Sequence, residues 1–244
     1  MHNKLTLSLI GVGAFGRFII PHLTPHFHVS IYDKFANIDD IDMVTVVDIE
    51  TAAKADIVIL GVPVQVFEDV VLDIKNYIRV GQTVMDITSV KLIPEEILKT
   101  HMPDGVNIVG LHPMFGPQSG KNGIQGLNVA AIDVRGDQYD FICAFLSDIL
   151  QLNVIRCTSD DHDLDMAYVQ GLTHIIAKSF SGMNIPELMN TTKTYDLLSE
   201  MVDLIKNDSD ELFQAIQSYN PHAKDVRTRF LKRVMDIDKK LSEN

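Results

Sequence analysis

The chain is poor in the residues that would tie it to several classes of protein. Its 244 residues include two cysteines, Cys143 and Cys157. Their separation matches no metal-ligand pattern and supplies no disulfide framework, so the expectation is a reducing compartment, the cytoplasm, and no metal. Positive charge is scarce as well: 21 Lys and Arg stand against 33 Asp and Glu, a formal net charge of −12. A phosphate backbone needs a basic face, which argues against nucleic acid as a partner; small anionic ligands, held by a few local groups, stay open. No apolar run approaches the length of a membrane span. The short one near the N-terminus leads straight into a glycine loop, so neither a signal peptide nor a membrane partner is expected. There is no internal repeat and no low-complexity segment. What is present is 46% hydrophobic and 22% charged, ordinary for a globular chain with one large core or two modest ones.

The order of apolar runs and turn residues gives the organisation. Leu5 to Ile10 is a short apolar run that ends in Gly11-Val12-Gly13-Ala14-Phe15-Gly16. A helical pattern follows through about Leu23 and closes at Pro25; Val29 to Asp33 then reads as a second strand. Further strands are expected at 55–60, 82–87, 106–111, 127–132 and 153–156. Helices are expected from Gly61-Val62-Pro63 to about Tyr77, from near Pro94, and over 139–150. Strands alternating with helices predict a largely parallel sheet covered on both faces. Beyond Asp160 only helical periodicity remains, at roughly 161–183, 194–206, 208–219 and 221–241. The predicted class is therefore α/β: a Rossmann-like dinucleotide-binding domain over 1–158, followed by an all-helical C-terminal domain over 159–244.

The glycine loop carries the first chemistry. It follows a strand and opens a helix within a βαβ unit, the context in which such glycines receive a pyrophosphate. Gly11 allows the tight turn, Gly13 lets the backbone approach the phosphates, and Gly16 permits close helix–strand packing, while the N–H groups at Ala14 and Phe15 open the helix toward the anion. Asp33 ends the second strand, where a carboxylate accepts hydrogen bonds from ribose hydroxyls and repels a 2′-phosphate. NAD is thus expected in preference to NADP, with the adjacent Lys34 able to soften the choice. Gly61, Val62, Pro63 and Thr88, in loops that follow later strands, complete the expected cofactor set.

Two loops after strands carry reactive side chains. One is Asp86-Ile87-Thr88-Ser89-Val90-Lys91, the other His112-Pro113-Met114-Phe115-Gly116-Pro117-Gln118-Ser119-Gly120. When a nicotinamide oxidises an alcohol, the carbon loses hydride while the hydroxyl loses its proton. A histidine titrating near neutrality suits the proton's acceptor, and His112 fits that part. Ser89 can orient the imidazole or the hydroxyl. Gln118, Ser119 and Lys91 are candidate substrate contacts, as is His174 within Gln170-Gly171-Leu172-Thr173-His174.

With those stretches in order, the chain resembles the prephenate and arogenate dehydrogenases of tyrosine biosynthesis over nearly its whole length. The most specific part is Leu111 to Pro117 with Ser119-Gly120; Asp86 to Lys91, Asp161-His162-Asp163 and Gln170 to His174 support it. The resemblance implies oxidation of a cyclohexadienol at its ring hydroxyl, hydride passing to the nicotinamide and the ring carboxylate leaving as carbon dioxide. Prephenate would give 4-hydroxyphenylpyruvate, and arogenate would give tyrosine. It also implies that His112 accepts the hydroxyl's hydrogen bond, that Ser89 supports hydroxyl and cofactor, and that His174 lines the substrate pocket. Finally it implies a homodimer through the helical C-terminal domain, with the active site in the cleft between domains.

The sequence departs from the family at one point. Many bacterial members carry an arginine early in a C-terminal helix that pairs with a substrate carboxylate; here no arginine occurs between Arg156 and Arg227, and Asp196 is its nearest counterpart. That stretch looks more like the plant-type arogenate enzymes, and an acidic residue suits the amino group of arogenate. Lys91, Lys121 and Lys178 remain candidate carboxylate partners. Within residues 159–244 no appended regulatory domain is expected. Alternatives are another Rossmann dehydrogenase acting on a related cyclohexadienyl or hydroxyacid substrate, and a non-catalytic NAD-binding relative.

Overall fold

The computed structural model describes residues 4–206 and 208–243. It divides into two compact units, Met1–His162 and Asp163–Asn244.

Among its described residues the first unit is built on one sheet of eight strands. They are β1 (Thr6–Ile10), β2 (His28–Tyr32), β3 (Thr45–Val46), β4 (Ile57–Leu60), β5 (Thr83–Asp86), β6 (Asn107–Pro113), β7 (Asn128–Arg135) and β8 (Asn153–Arg156). Their spatial order is β3-β2-β1-β4-β5-β6-β7-β8, the doubly wound order with two strands added at one edge. Every pairing is parallel except β6 with β7. The exception has a simple cause: residues 114–127 contain turns but no helix, and a strand that returns without a crossover helix must run antiparallel.

Side chains alternate across the sheet and build a core on each face. Ile57 and Ile59 of β4 join Leu7, Leu9 and Ile19 in one cluster, whereas Val58 and Leu60 join Phe67, Val71 and Leu98 in the other. The first face is covered by α1 (Ala14–Leu23) and α5 (Tyr139–Ala144). The second is covered by α2 (Ile49–Ala52), α3 (Phe67–Ile74) and α4 (Leu92–His101). The four residues of β4 are all buried, which explains why that strand reads as a continuous apolar run instead of an alternating one.

Most elements fall where periodicity puts them. β3 and α2 go unread because two and four residues are too few to show a period; α2 is held by its cap, the Asp48 side chain accepting from the Thr51 N–H. The helix expected over 139–150 is α5 followed by a wider π turn at Phe145–Ile149. Over five residues a wider turn leaves no distinct apolar pattern.

Among its described residues the second unit has helices and no strand. α6 (Ser159–Gly182) begins in the first unit and continues into the second, joined there by α7 (Lys193–Ile205), α8 (Asp210–Gln214) and α9 (Ala223–Ser242). Thr192 and Ser209 cap α7 and α8 through their side-chain oxygens. Ala167, Ala223 and Val226 are buried together, and buried amides add specific links: Gln217 Nε2 donates to Gly171 O at 2.7 Å and Asn220 Nδ2 to Asp163 O at 2.7 Å. The units divide four residues beyond the expected 158/159 boundary, inside α6, so its first turn belongs with the sheet. Among the described residues no helix is long and apolar enough to cross a membrane.

Candidate active site

The loops that leave β1 and β4 meet at the point where the strand order reverses. Such a switch point, outside the carboxyl ends of the strands, is where ligands of open α/β sheets bind. Gly11 takes φ +93°, and a Cβ on it would fall 2.7 Å from the carbonyl oxygen of Gly61 and 2.6 Å from Val62. Only glycine lets the two turns approach so closely, and main-chain bonds from Gly11 N to Tyr32 O (2.9 Å) and from Gly61 N to Ile10 O (2.8 Å) fix them. Pro63 then leads into a short 3-10 turn, Val64–Val66, ahead of α3. Gly13, the N-cap of α1, is the opposite case: it is extended (φ −71°, ψ −164°), and a Cβ there would meet nothing within 4 Å. The space over Gly13, in front of the first N–H groups of α1 at Ala14 and Phe15, is a cradle that fits a pyrophosphate. Gly16 is buried on the far side of that turn.

Asp33 closes the cradle. Its carboxylate accepts from Val12 N at 2.7 Å and from Phe35 N and Ala36 N at 2.8 Å each. Burial pushes its pKa up, but the N–H groups of Ala36, Val12 and Phe35, helped by the Arg17 charge, outweigh that and hold it below the usual carboxylate range. A fixed anion thus sits at the end of β2, beside the glycine turn.

The loops after β5 and β6 share this edge, because β5 and β6 run parallel in register. Here the side chains are buried and interlocked. Asp86 Oδ1 accepts from Thr88 N (3.0 Å), from Thr88 Oγ1 (2.7 Å) and from the Lys91 ammonium. Lys91 Nζ also donates to Leu111 O at 2.5 Å. Lys91 is 1% exposed and Asp86 2%. This corrects the expectation that Lys91 meets substrate: its charge is spent inside the protein, tying the β5 loop to the residue before His112. Thr88 is likewise committed to that network, whereas Ser89 beside it is half-buried.

His112 is 5% exposed and His162, in the first turn of α6, is 2% exposed. Their rings meet edge to face, with His112 Nδ1 2.8 Å from His162 Nε2. Burial, then the neighbouring His162 and Lys91, holds the His112 pKa well below the ordinary imidazole range, so the ring is neutral at pH 7. Beyond His112, Phe115 packs with Phe15 and Phe18 of α1 at ring-centroid distances of 6.0 and 6.4 Å, joining the glycine-loop helix to the histidine loop. Gln118 and Ser119 are exposed in the same loop, where Ser119 Oγ accepts from Gly116 N at 3.0 Å. His174 lies in the second unit; its Nδ1 donates to Gln170 O and its Nε2 sits 3.0 Å from Asp208 Oδ2.

His162 is the site residue whose partner sequence reasoning did not name. A signal for its placement exists: Thr158-Ser159-Asp160-Asp161 is a capping pattern, and Thr158 Oγ1 and Asp161 exchange hydrogen bonds of 2.7 and 3.1 Å.

Comparison with known proteins agrees with this geometry. A family model described as the nucleotide-binding domain of prephenate dehydrogenase matches residues 34–129, a span that includes both reactive loops. The chain is 31% identical over 200 residues to a probable arogenate/prephenate dehydrogenase of Methanocaldococcus jannaschii, covering 78% of this chain and 44% of the relative. In these matches the chain is similar to prephenate and arogenate dehydrogenases. A second model, described as a TYRAAT1-like C-terminal domain, matches residues 179–244. The chain is also 26% identical over 242 residues to chloroplastic arogenate dehydrogenase 1 of Arabidopsis thaliana, covering 93% of this chain and 38% of that one. It therefore spans less than half the length of either relative. The fold is shared with prephenate dehydrogenase from Aquifex aeolicus, crystallised with hydroxyphenyl propionate and NAD+, at a TM-score of 0.73 and 17% identity, over 99% of this chain and 92% of that one.

Proposed function

We propose that the chain catalyses the NAD-dependent oxidative decarboxylation of prephenate or arogenate. The observation that carries this reading is His112: a buried, neutral imidazole at the end of β6, on the sheet edge that also holds the glycine turn, within the family's His-Pro-Met-Phe-Gly-Pro stretch.

Gly11, Gly13, Ala14, Phe15 and Gly16 would hold the pyrophosphate, and Asp33 the adenosine ribose. A carboxylate kept ionised at that place favours NAD over its 2′-phosphorylated form. Bound NAD supplies the hydride acceptor. The chain's own residues handle the rest. His112 accepts the proton of the ring hydroxyl, so that the O–H electron pair forms the carbonyl as the carbon gives up hydride. The ring carboxylate then leaves as carbon dioxide, and its bonding pair completes the aromatic ring. A base held below the ordinary imidazole range is ready to accept at pH 7. Ser89 orients the hydroxyl. The Asp86–Lys91 pair keeps the carbonyl of Leu111, and with it His112, in place. The stretch without arginine between Arg156 and Arg227 supports arogenate as the preferred substrate.

A second copy of this chain is the proposed partner. α9 exposes Val234, Ile237 and Leu241 at 47%, 47% and 71%, and with Phe230 they recur at four-, three- and four-residue steps. That is the seam of a helix that packs against a helix. Cys143, which is buried, and Cys157 form no disulfide with each other, in keeping with a cytoplasmic location.

The test is the absorbance of reduced nicotinamide with prephenate or arogenate, each with NAD or NADP. Turnover is expected with NAD, and silence in all four combinations would remove the proposal. His112→Asn should lower kcat by about 100-fold or more with NADH affinity unchanged; equal loss of both would make His112 structural.

A further inference from the structure

The 2.8 Å contact between His112 Nδ1 and His162 Nε2 imposes a choice. Two ring nitrogens at that distance share one proton, and whichever ring donates decides what the far nitrogen of His112 can do. If His162 donated, His112 would carry its own proton on Nε2 and present a donor to substrate. If His112 donates, its Nε2 keeps the lone pair and presents an acceptor.

We propose that His162 is the positioning residue for His112: it accepts the Nδ1 proton and so fixes the tautomer whose Nε2 takes the hydroxyl proton. The inference rests on the reading of His112 as the proton acceptor. When the substrate O–H bond breaks, an Nε2–H bond forms on His112 and the ring becomes an imidazolium. Its Nδ1–H, already directed at His162, then becomes a charge-assisted hydrogen bond of about twice the ordinary strength. The charge thus develops against a waiting acceptor at the moment it would otherwise be most costly, in a buried place with the Lys91 ammonium among its neighbours.

The local fold is built to hold His162 there. The capping pair of Thr158 and Asp161 fixes the first turn of α6, and Ser159 Oγ hydrogen-bonds Glu95 Oε2 on α4. Glu95 in turn is paired with Lys99. Four consecutive residues before His162 therefore contain three that anchor the turn, and a ring 2% exposed has little freedom to turn away. Charged and titratable groups around His112 include His162 from α6 and, from the β5 loop, Lys91 with its partner Asp86.

The experiment combines nitrogen-15 NMR of histidine-labelled protein with steady-state kinetics of two variants. In the wild type, His112, assigned by its disappearance in His112→Asn, should be the Nδ1–H tautomer with a bare Nε2. His162→Leu, which removes the acceptor, should lower kcat by about 100-fold while KM and NADH affinity stay within about threefold. His162→Gln, whose side-chain oxygen accepts the same proton, should recover at least about tenfold of that loss. A wild-type His112 that is mainly the Nε2–H tautomer would overturn the proposal, as would equal kcat in the Leu and Gln variants. Should the Leu variant fail to fold, the wild-type tautomer decides alone. A wild type that turns over neither substrate would end the functional reading, whereas the tautomer result would stand on its own.

Discussion

Gly13 and Gly11 lie two residues apart in one loop, and the structure assigns them opposite sensitivities. Replacing Gly13 by alanine adds a methyl group that touches nothing within 4 Å, at backbone angles that alanine adopts without strain. The folded protein loses nothing, and the unfolded chain loses freedom, so stability should rise by about 0.4–1 kcal/mol. For a chain of this length that raises Tm by roughly 1–4 °C. The same methyl group, however, fills the cradle in front of the α1 N–H groups. Losing two charge-assisted hydrogen bonds to a phosphate costs about 3 kcal/mol or more, and NADH affinity should fall about 100-fold. Gly11→Ala reverses the pattern: at φ +93° with the carbonyl of Gly61 2.7 Å from the new carbon, strain and overlap cost at least about 2–3 kcal/mol. Tm should then drop by roughly 5–10 °C. The assay is a thermal melt beside a nicotinamide fluorescence titration, which the absence of tryptophan leaves free of that residue's emission. A Gly13→Ala protein that binds NADH as tightly as the wild type would refute the cradle.

Three other expectations follow from the same structure. Lys91→Met leaves the Asp86 carboxylate buried without its cation and should cost roughly 3–5 kcal/mol in urea denaturation; a loss under about 1 kcal/mol would mean that the pair is as weak as a surface one. His112 stays neutral in the folded protein to well below 6.5, while the unfolded chain takes up a proton there. Its contribution is therefore complete above pH 6.5 and is lost below it, at a slope approaching about 1.4 kcal/mol per pH unit. Stability curves of wild type and His112→Gln that run parallel from pH 7 to 5 would contradict this. Finally, Val234→Glu combined with Ile237→Glu should convert a dimer to a monomer in sedimentation velocity without lowering helicity, and a wild type that sediments as a monomer would dismiss the α9 seam.

Much of the molecule was legible because its signals are local. A strand such as 153–156, the helix opened by Gly13, and the change to all-helical periodicity after Asp160 each depend on residues within one or two turns of each other. The same holds for the glycine loop and for Asp33: their chemistry is set by backbone freedom and by position at a strand end. The His-Pro-Met-Phe-Gly-Pro stretch carried the resemblance to prephenate and arogenate dehydrogenases for a similar reason, since it is contiguous.

Partnerships across the chain were another matter. Lys91 reads as a free cation in a loop, and only the parallel register of β5 and β6 buries it on Asp86 and the Leu111 carbonyl. His162 lies 50 residues from His112, and no spacing rule joins a residue in the first turn of one helix to the end of a distant strand. The antiparallel turn of β7 escaped periodicity too, because direction depends on how the chain returns and not on which faces are apolar. Residue types and local backbone rules were thus enough to expect a dinucleotide and a base. Which charges are neutralised, and which proton the proposed base holds, depend on long-range packing that brings distant polar groups within hydrogen-bond reach in a buried place.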